Sequence, residues 1–105
     1  MTYVFIHGLG QTSSSWDKVL AHLSTDIQIY RPCLSTIIKD KPITYENLYK
    51  AFEIECNRME MPLCLCGISL GAILALQYVV SNPQKVNSLV LIAPQYKTPR
   101  LLLSI

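Results

Sequence analysis

The stretch Leu63–Gly71, with the sequence LCLCGISLG, decides the fold of this chain of 105 residues. Its first part, residues 63–66, is a short apolar run typical of a buried strand. The residues that follow it, from 70 to about 81, are almost all apolar and predict a buried helix. Ser69 stands between the two with a glycine two positions away on each side. The stretch therefore predicts a strand, a sharp turn and a helix, with a serine at the turn.

The same alternation of strand and helix extends outward from this stretch in both directions. Short runs rich in strand formers end at turn residues, and apolar stripes at helical spacing lie between them. Strands are predicted at residues 3–6, 27–30, 63–66 and 86–93, and helices at residues 16–23, 45–59 and 70–81, with Thr44 as the N-cap of the second helix. Such alternation implies right-handed crossovers, so we expect one α/β domain of three αβα layers around a mainly parallel sheet.

Composition narrows the classes of protein to which the chain belongs. Half of the residues are apolar and 15% are charged, which indicates a buried core and not a disordered segment. The net charge of +2 comes without a basic run, so we expect no nucleic-acid partner. No apolar stretch is long enough to span a bilayer and no targeting signal opens the chain. We therefore expect a cytoplasmic protein with no membrane partner.

Four cysteines are present, and their spacing carries no paired motif. Cys64 and Cys66 lie two residues apart on a predicted strand and share one face, but no histidine is near them in sequence. The interpretation is that all four are reduced core residues, so we expect neither a metal nor a cofactor.

Residues 67–71 match the pattern G-x-S-x-G, the nucleophile elbow. The pattern alone arises by chance in about a few per cent of chains of this length. Its position between an apolar strand and an apolar helix is the setting that its chemistry requires. The close approach of strand and helix there admits only small residues, which explains Gly67 and Gly71. Ser69 is thus a candidate catalytic nucleophile at a helix N-terminus, where the dipole stabilises negative charge.

A second motif follows the first predicted strand, where the sequence reads HGLGQT at residues 7–12. The two motifs together resemble those of the α/β-hydrolase family, in which this loop and the elbow form an oxyanion hole. The resemblance implies that the backbone N–H groups of Leu9 and Leu70 hold the oxyanion, and that Gly8 and Gly10 shape the loop. It also implies that the first strand lies between the second and the third in the sheet, which brings the two loops to one crevice.

Each motif also has a plainer explanation. Gly8 and Gly10 would suit an ordinary tight turn, and Ser69 could be a helix N-cap with no chemistry. His7 lies in the loop, where the resemblance makes it a residue that shapes the loop and not a base. His22 falls off the apolar stripe of its helix, so we expect it to face solvent.

The residues that would complete a catalytic triad are missing from the chain. In α/β-hydrolases the acid and then the histidine follow the nucleophile, yet the sequence after Ser69 contains no Asp, Glu or His. The resemblance thus implies that residues 1–105 are the N-terminal part of such a domain, truncated where a cap region begins near Gln95.

Three hypotheses follow for the function. The first is a serine hydrolase that cleaves a carboxylic ester or similar bond of a small-molecule substrate through an acyl-enzyme, of which this chain is a fragment. The second is an inactive truncated product with an intact elbow. The third is an interaction module that self-associates through the exposed sheet edge after the last strand.

Overall fold

The computed structural model describes residues 1–24 and 26–92. Four strands and four helices make up its regular structure, together with 3₁₀ turns at Ser13–Trp16 and Pro83–Lys85. The strands are β1 (Thr2–Ile6), β2 (Gln28–Tyr30), β3 (Leu63–Ile68) and β4 (Val86–Ile92), and the helices are α1 (Asp17–Leu20), α2 (Leu34–Ile37), α3 (Tyr45–Asn57) and α4 (Leu70–Ser81). Within the described ranges, no helix combines the length and the apolar character that crossing a bilayer requires.

The four strands form one parallel sheet in the order β2-β1-β3-β4. In this order β1 lies between β2 and β3, as the family resemblance implied. The last residue of β1, Ile6, pairs with Gly67 of β3. The loops that follow β1 and β3 therefore leave the sheet side by side at its carboxyl edge, where open parallel sheets bind ligands.

Alternate residues of the central strands supply the two faces of the sheet. On one face, Val4 and Leu65 join the main core, in which α3 and α4 bury Phe52 and Leu74. On the other face, Phe5 packs against Trp16, with their ring centroids 5.2 Å apart. Helical layers on both faces confirm the predicted αβα architecture.

The structure corrects two of the predictions for helical segments. The predicted helix at 16–23 is a 3₁₀ turn followed by the single α-helical turn α1, because only Trp16 of its apolar stripe is buried and Val19 is 43% exposed. Further α-helical turns after α1 would bury too little apolar surface to be stable. The segment between β2 and α3, predicted as a loop, contains the short helix α2.

The other predicted elements agree closely with the structure. The α4 helix covers the predicted residues, and the Thr44 hydroxyl caps α3 by accepting a hydrogen bond from the Asn47 N–H at 3.1 Å. The last predicted strand is confirmed to Ile92. Its predicted final residue, Ala93, and the predicted start of a cap near Gln95 lie outside the described residues.

Candidate functional site

Ser69 occupies the turn between β3 and α4 in a backbone conformation that serine rarely adopts. Its φ is +55° and its ψ is −117°. An N-cap serine normally has an extended backbone and a side chain that accepts a helix N–H. Ser69 has neither, since its side chain makes no capping hydrogen bond. Its N–H donates to the carbonyl of Ile92 at 3.1 Å, so β4 helps to hold the turn.

The two elbow glycines are explained by direct backbone contacts. A Cβ atom on Gly67 would lie 2.3 Å from the carbonyl oxygen of Gly71. A Cβ atom on Gly71 would lie 2.2 Å from the carbonyl oxygen of Ile6, at the end of β1. No side chain fits at either position without moving the backbone. The predicted steric requirement is therefore present at both glycines.

The loop after β1 reaches Ser69 itself. A Cβ atom on Gly8 would lie 3.1 Å from the Cβ atom of Ser69. The Gly8 N–H donates to Oε1 of Gln11 at 2.8 Å, and the Gln11 N–H donates back to the Gly8 carbonyl at 3.2 Å. Gly10 completes this turn with a φ of +76°. Gln11, which the sequence did not single out, thus closes the loop on itself.

The N–H groups of Leu9 and Leu70 are free in this arrangement. Within the part of the chain that the structure describes, neither of them donates a hydrogen bond. Leu9 belongs to the loop that touches Ser69, and Leu70 follows Ser69 at the start of α4. Both donors are available for a ligand oxygen, whereas the Gly8 N–H is already used by Gln11.

His7 is buried behind the loop and both of its ring nitrogens are occupied. Nδ1 lies 2.8 Å from the Gly8 carbonyl oxygen, and Nε2 accepts the Leu34 N–H at 3.0 Å. Because a carbonyl oxygen can only accept, Nδ1 carries the proton and the imidazole is neutral. With no lone pair left to offer, His7 fixes the loop to the start of α2 and is not placed to act as a base. His22 is exposed, as expected.

An apolar cavity of about 320 Å³ opens beside these loops. It lies between the loop after β1, the start of α4 and residues 34–48, a segment in which the sequence shows no pattern that marks a binding surface. The side chains that line it are mostly apolar, namely Leu9, Leu34, Ile38, Ile43, Leu48 and Leu70.

Cys33 lies at the start of α2, next to this cavity. Its Sγ is 3.3 Å from the Ser35 hydroxyl, and hydrogen bonds from the Ser35 and Thr36 side chains lower the pKa of the Cys33 thiol to about 7. By contrast, burial raises the pKa of Cys66 on β3. In residues 1–24 and 26–92, no group of three or more His, Cys, Asp or Glu side chains could hold a metal ion.

Comparison with known proteins identifies the family to which the chain belongs. The model of a hydrolase family described as serine aminopeptidase, S33, matches residues 34–104, about two thirds of the chain. The chain belongs to this family of α/β-hydrolases.

Several named α/β-hydrolases are similar to the chain. The pimeloyl-[acyl-carrier protein] methyl ester esterase of Nitrosomonas europaea is 28% identical over 90 residues, which are 86% of this chain and 36% of the relative. A protein of Acinetobacter baumannii AYE assigned as a lipase is 27% identical, with a TM-score of 0.78 over 90% of this chain and 34% of that one.

An extracellular α/β-hydrolase from a Paenibacillus species shares the fold, with a TM-score of 0.76 at 22% identity over 93% of this chain and 42% of its own. The chain therefore spans only about a third of the length of the first two relatives.

Proposed function

We propose that this α/β-hydrolase is a serine hydrolase that cleaves carboxylic esters or similar bonds by way of an acyl-enzyme. Ser69 is the nucleophile in this proposal, and the Leu9 and Leu70 N–H groups form the oxyanion hole. The observation that carries it is the strained turn at Ser69, whose hydroxyl is not used to cap α4. Near this turn are two N–H groups that have no acceptor among residues 1–24 and 26–92.

The chemistry follows from these positions. Ser69 Oγ attacks the substrate carbonyl carbon while a base takes its proton, and the carbonyl oxygen gains negative charge. The two N–H groups and the α4 dipole stabilise that charge before the bond to the leaving alcohol breaks. The alcohol departs with a proton returned by the base, and water then releases the acid from Ser69 by the same steps in reverse.

The proposal assigns the base to a residue outside residues 1–105. No Asp, Glu or His follows Ser69, and His7 has both ring nitrogens engaged. Relatives of which the chain spans only about a third support the assignment of residues 1–105 to the N-terminal part of an α/β-hydrolase domain. The isolated chain should consequently turn over little substrate, because a neutral hydroxyl is a poor nucleophile.

The names of two relatives support an ester substrate, since one is a methyl ester esterase and the other is assigned as a lipase. A self-associating interaction module remains the second candidate. It is favoured by the outermost strand, on which Val90 and Ile92 are exposed.

Covalent labelling tests Ser69 without requiring turnover. The chain is incubated with an alkyl fluorophosphonate, with and without imidazole as a soluble base, and adducts are mapped by mass spectrometry. Ser69 Oγ forms a bond to phosphorus, fluoride leaves with the bonding electrons, and imidazole takes the proton. In the presence of imidazole, we expect Ser69 to be labelled at least ten times as much as the exposed Ser88.

Two controls make the labelling specific. Ser69→Ala should abolish the major adduct, and denatured chain should lose the preference for Ser69 because the turn and its donors are gone. Equal labelling of Ser69 and Ser88 in the folded chain with imidazole would refute the proposal that Ser69 is an activated position.

A further inference from the structure

We propose that a basic pocket between α2 and α3 binds an organic phosphate, that is, a phosphate group carried on a short hydrocarbon. The pocket has a volume of about 210 Å³. It adjoins the cavity beside Ser69, and Ile38 is the one residue that lines both. The pocket is therefore a second binding site, and its ligand is independent of the proposed function.

Three basic side chains line this pocket against one carboxylate. Lys39 and Lys41 follow α2, Arg58 ends α3, and Glu55 supplies the carboxylate, so the charged lining is positive by two charges. A phosphate monoester carries a charge of about −1.5 to −2 at pH 7, which this lining can balance. Because the basic residues come from two separate segments, the sequence contains no basic run that marks the pocket.

The basic groups of the pocket are available to a ligand. Within the described residues, neither Lys39 nor Lys41 forms an ion pair, although Asp40 stands between them in sequence. The Arg58 guanidinium lies 3.8 Å from the Glu55 carboxylate, which is too long for a hydrogen bond. The planar guanidinium can therefore donate from two N–H groups to two oxygens of one phosphate.

The rest of the lining is apolar, which indicates what the phosphate is attached to. It consists of Ile37, Ile38, Ala51 and Ile54, and Ile54 is 52% exposed. An inorganic ion would leave this apolar surface in water, whereas a hydrocarbon attached to the phosphate would cover it. Each methylene that becomes buried should tighten binding about fourfold.

Lys39 has a backbone conformation that suits glycine better than lysine. Its φ is +58°, and it directly follows the C-cap residue of α2, where helices commonly end in a glycine. A lysine in this conformation is less stable than a glycine would be. Its presence there agrees with a role for the ammonium group in the pocket.

Titration with butyl phosphate at low ionic strength tests the proposal, with inorganic phosphate, butanol and butylammonium as matched probes. The chain is labelled at Ile and Leu methyl groups for NMR. We expect the signals of Ile37 and Ile54 to shift, while that of Leu9, in the loop beside Ser69, stays unchanged. Butyl phosphate should bind at least about fourfold more tightly than inorganic phosphate, and at least about tenfold more tightly than butanol or butylammonium.

Substitutions of opposite effect locate the binding. Lys39→Ala and Lys39→Gly should each weaken binding of butyl phosphate about threefold, although the glycine variant should be the more stable of the two in urea. Glu55→Gln should tighten binding about threefold, because it removes the carboxylate from the lining. Lys18→Ala, on α1 and outside the pocket, is the control and should leave binding unchanged.

Four results would each overturn the proposal: weaker binding to Glu55→Gln, equal effects of Lys39→Ala and Lys18→Ala, equal affinity for butylammonium, or shifts confined to Leu9. Ser69→Ala should bind butyl phosphate as tightly as the unaltered chain. Failure of this proposal is therefore distinguishable from failure of the labelling test of Ser69.

Discussion

At the scale of single residues, the candidate site is defined by a backbone conformation more than by any side chain. Ser69 is one of two residues other than glycine with a positive φ in the described part of the chain, the other being Lys39. Such conformations cost about 1–3 kcal/mol and persist where surrounding contacts enforce them. At Ser69 those contacts are the hydrogen bond to Ile92 and the glycines on either side.

Replacement of Ser69 by glycine should give a more stable chain than replacement by alanine. Glycine adopts a positive φ without steric cost, so Ser69→Gly is expected to raise the free energy of unfolding by about 1 kcal/mol relative to Ser69→Ala. Urea denaturation measures the difference. At Ser35, which is exposed and helical in α2, the order should reverse, with glycine less stable than alanine. The same order at both serines would contradict a strained turn at Ser69.

The reactivity of Cys33 should follow its lowered pKa. Since the thiolate is the nucleophile, iodoacetamide should alkylate Cys33 with a midpoint near pH 7, while Cys66, whose pKa is raised by burial, reacts much more slowly at that pH. Peptide mass spectrometry across pH 6–9.5 measures both. Ser35→Ala removes a hydrogen bond that favours the thiolate, so the midpoint should move to higher pH. A midpoint for Cys33 near 9 in the unaltered chain would contradict the lowered pKa.

The sequence predicted the residues of the elbow and the loop, because each is tied to a local pattern. It did not reveal Gln11 closing the loop, Ile92 holding Ser69, or Leu34 donating to His7. These contacts depend on the register of the strands and on α2, and none leaves a periodic signal. His7 was predicted to shape the loop, and the hydrogen bonds show how it does so.

At the scale of elements, the site depends on how closely α4 approaches β1. The first turn of α4 lies against the end of β1, where the carbonyl oxygen of Ile6 occupies the space that a side chain on Gly71 would need. This contact fixes the position of Ser69 and Leu70 relative to the loop after β1.

Gly71→Ala should therefore be far more damaging than Gly10→Ala. The Cβ of Gly71 would meet backbone at 2.2 Å, so we expect a loss of more than about 3 kcal/mol in the free energy of unfolding, or no folded protein. Gly10 has a φ of +76° but open space around it, so Gly10→Ala should cost only about 1–2 kcal/mol. Thermal and urea denaturation compare the two. A Gly71→Ala chain as stable as Gly10→Ala would refute the close approach.

Helices with a complete apolar stripe or run were predicted well, while the short helices were not. The α3 stripe and the apolar run of α4 signal burial along their whole length, and both helices are present. The stripe at 16–23 looked similar, but only Trp16 of this stripe is buried, where it packs against Phe5. The α2 helix is a single turn held through Leu34 in the core, too short for a period to be visible.

At the scale of the whole molecule, the sheet is covered unevenly in the described residues. The face that contains Val4 and Leu65 is buried under α3 and α4. The opposite face has Trp16 over Phe5, but Val90 and Ile92 on β4 are 52% and 40% exposed. Parallel sheets are usually buried on both faces, so this region is a candidate surface for association.

Self-association through this surface should be sensitive to a charge at Val90. Val90→Lys is expected to lower the fraction of dimer or larger species because burying the ammonium group at a contact is unfavourable. Val80→Lys is the control, since Val80 is 74% exposed on α4. The α4 helix covers the face of the sheet opposite to the one on which Val90 is exposed. Sedimentation velocity over a range of concentrations measures both. Equal effects of the two variants would contradict association through β4.

Amide NMR of the phosphonylated chain tests the site most directly. With an alkyl phosphonyl group on Ser69, its P=O oxygen stands where the oxyanion of an ester would lie. We predict that the amide protons of Leu9 and Leu70 move downfield as both donate to that oxygen, while the Leu76 amide, within α4, does not move. If Ser69 carries the adduct and both Leu9 and Leu70 amides stay where they were, the two loops do not form an oxyanion hole.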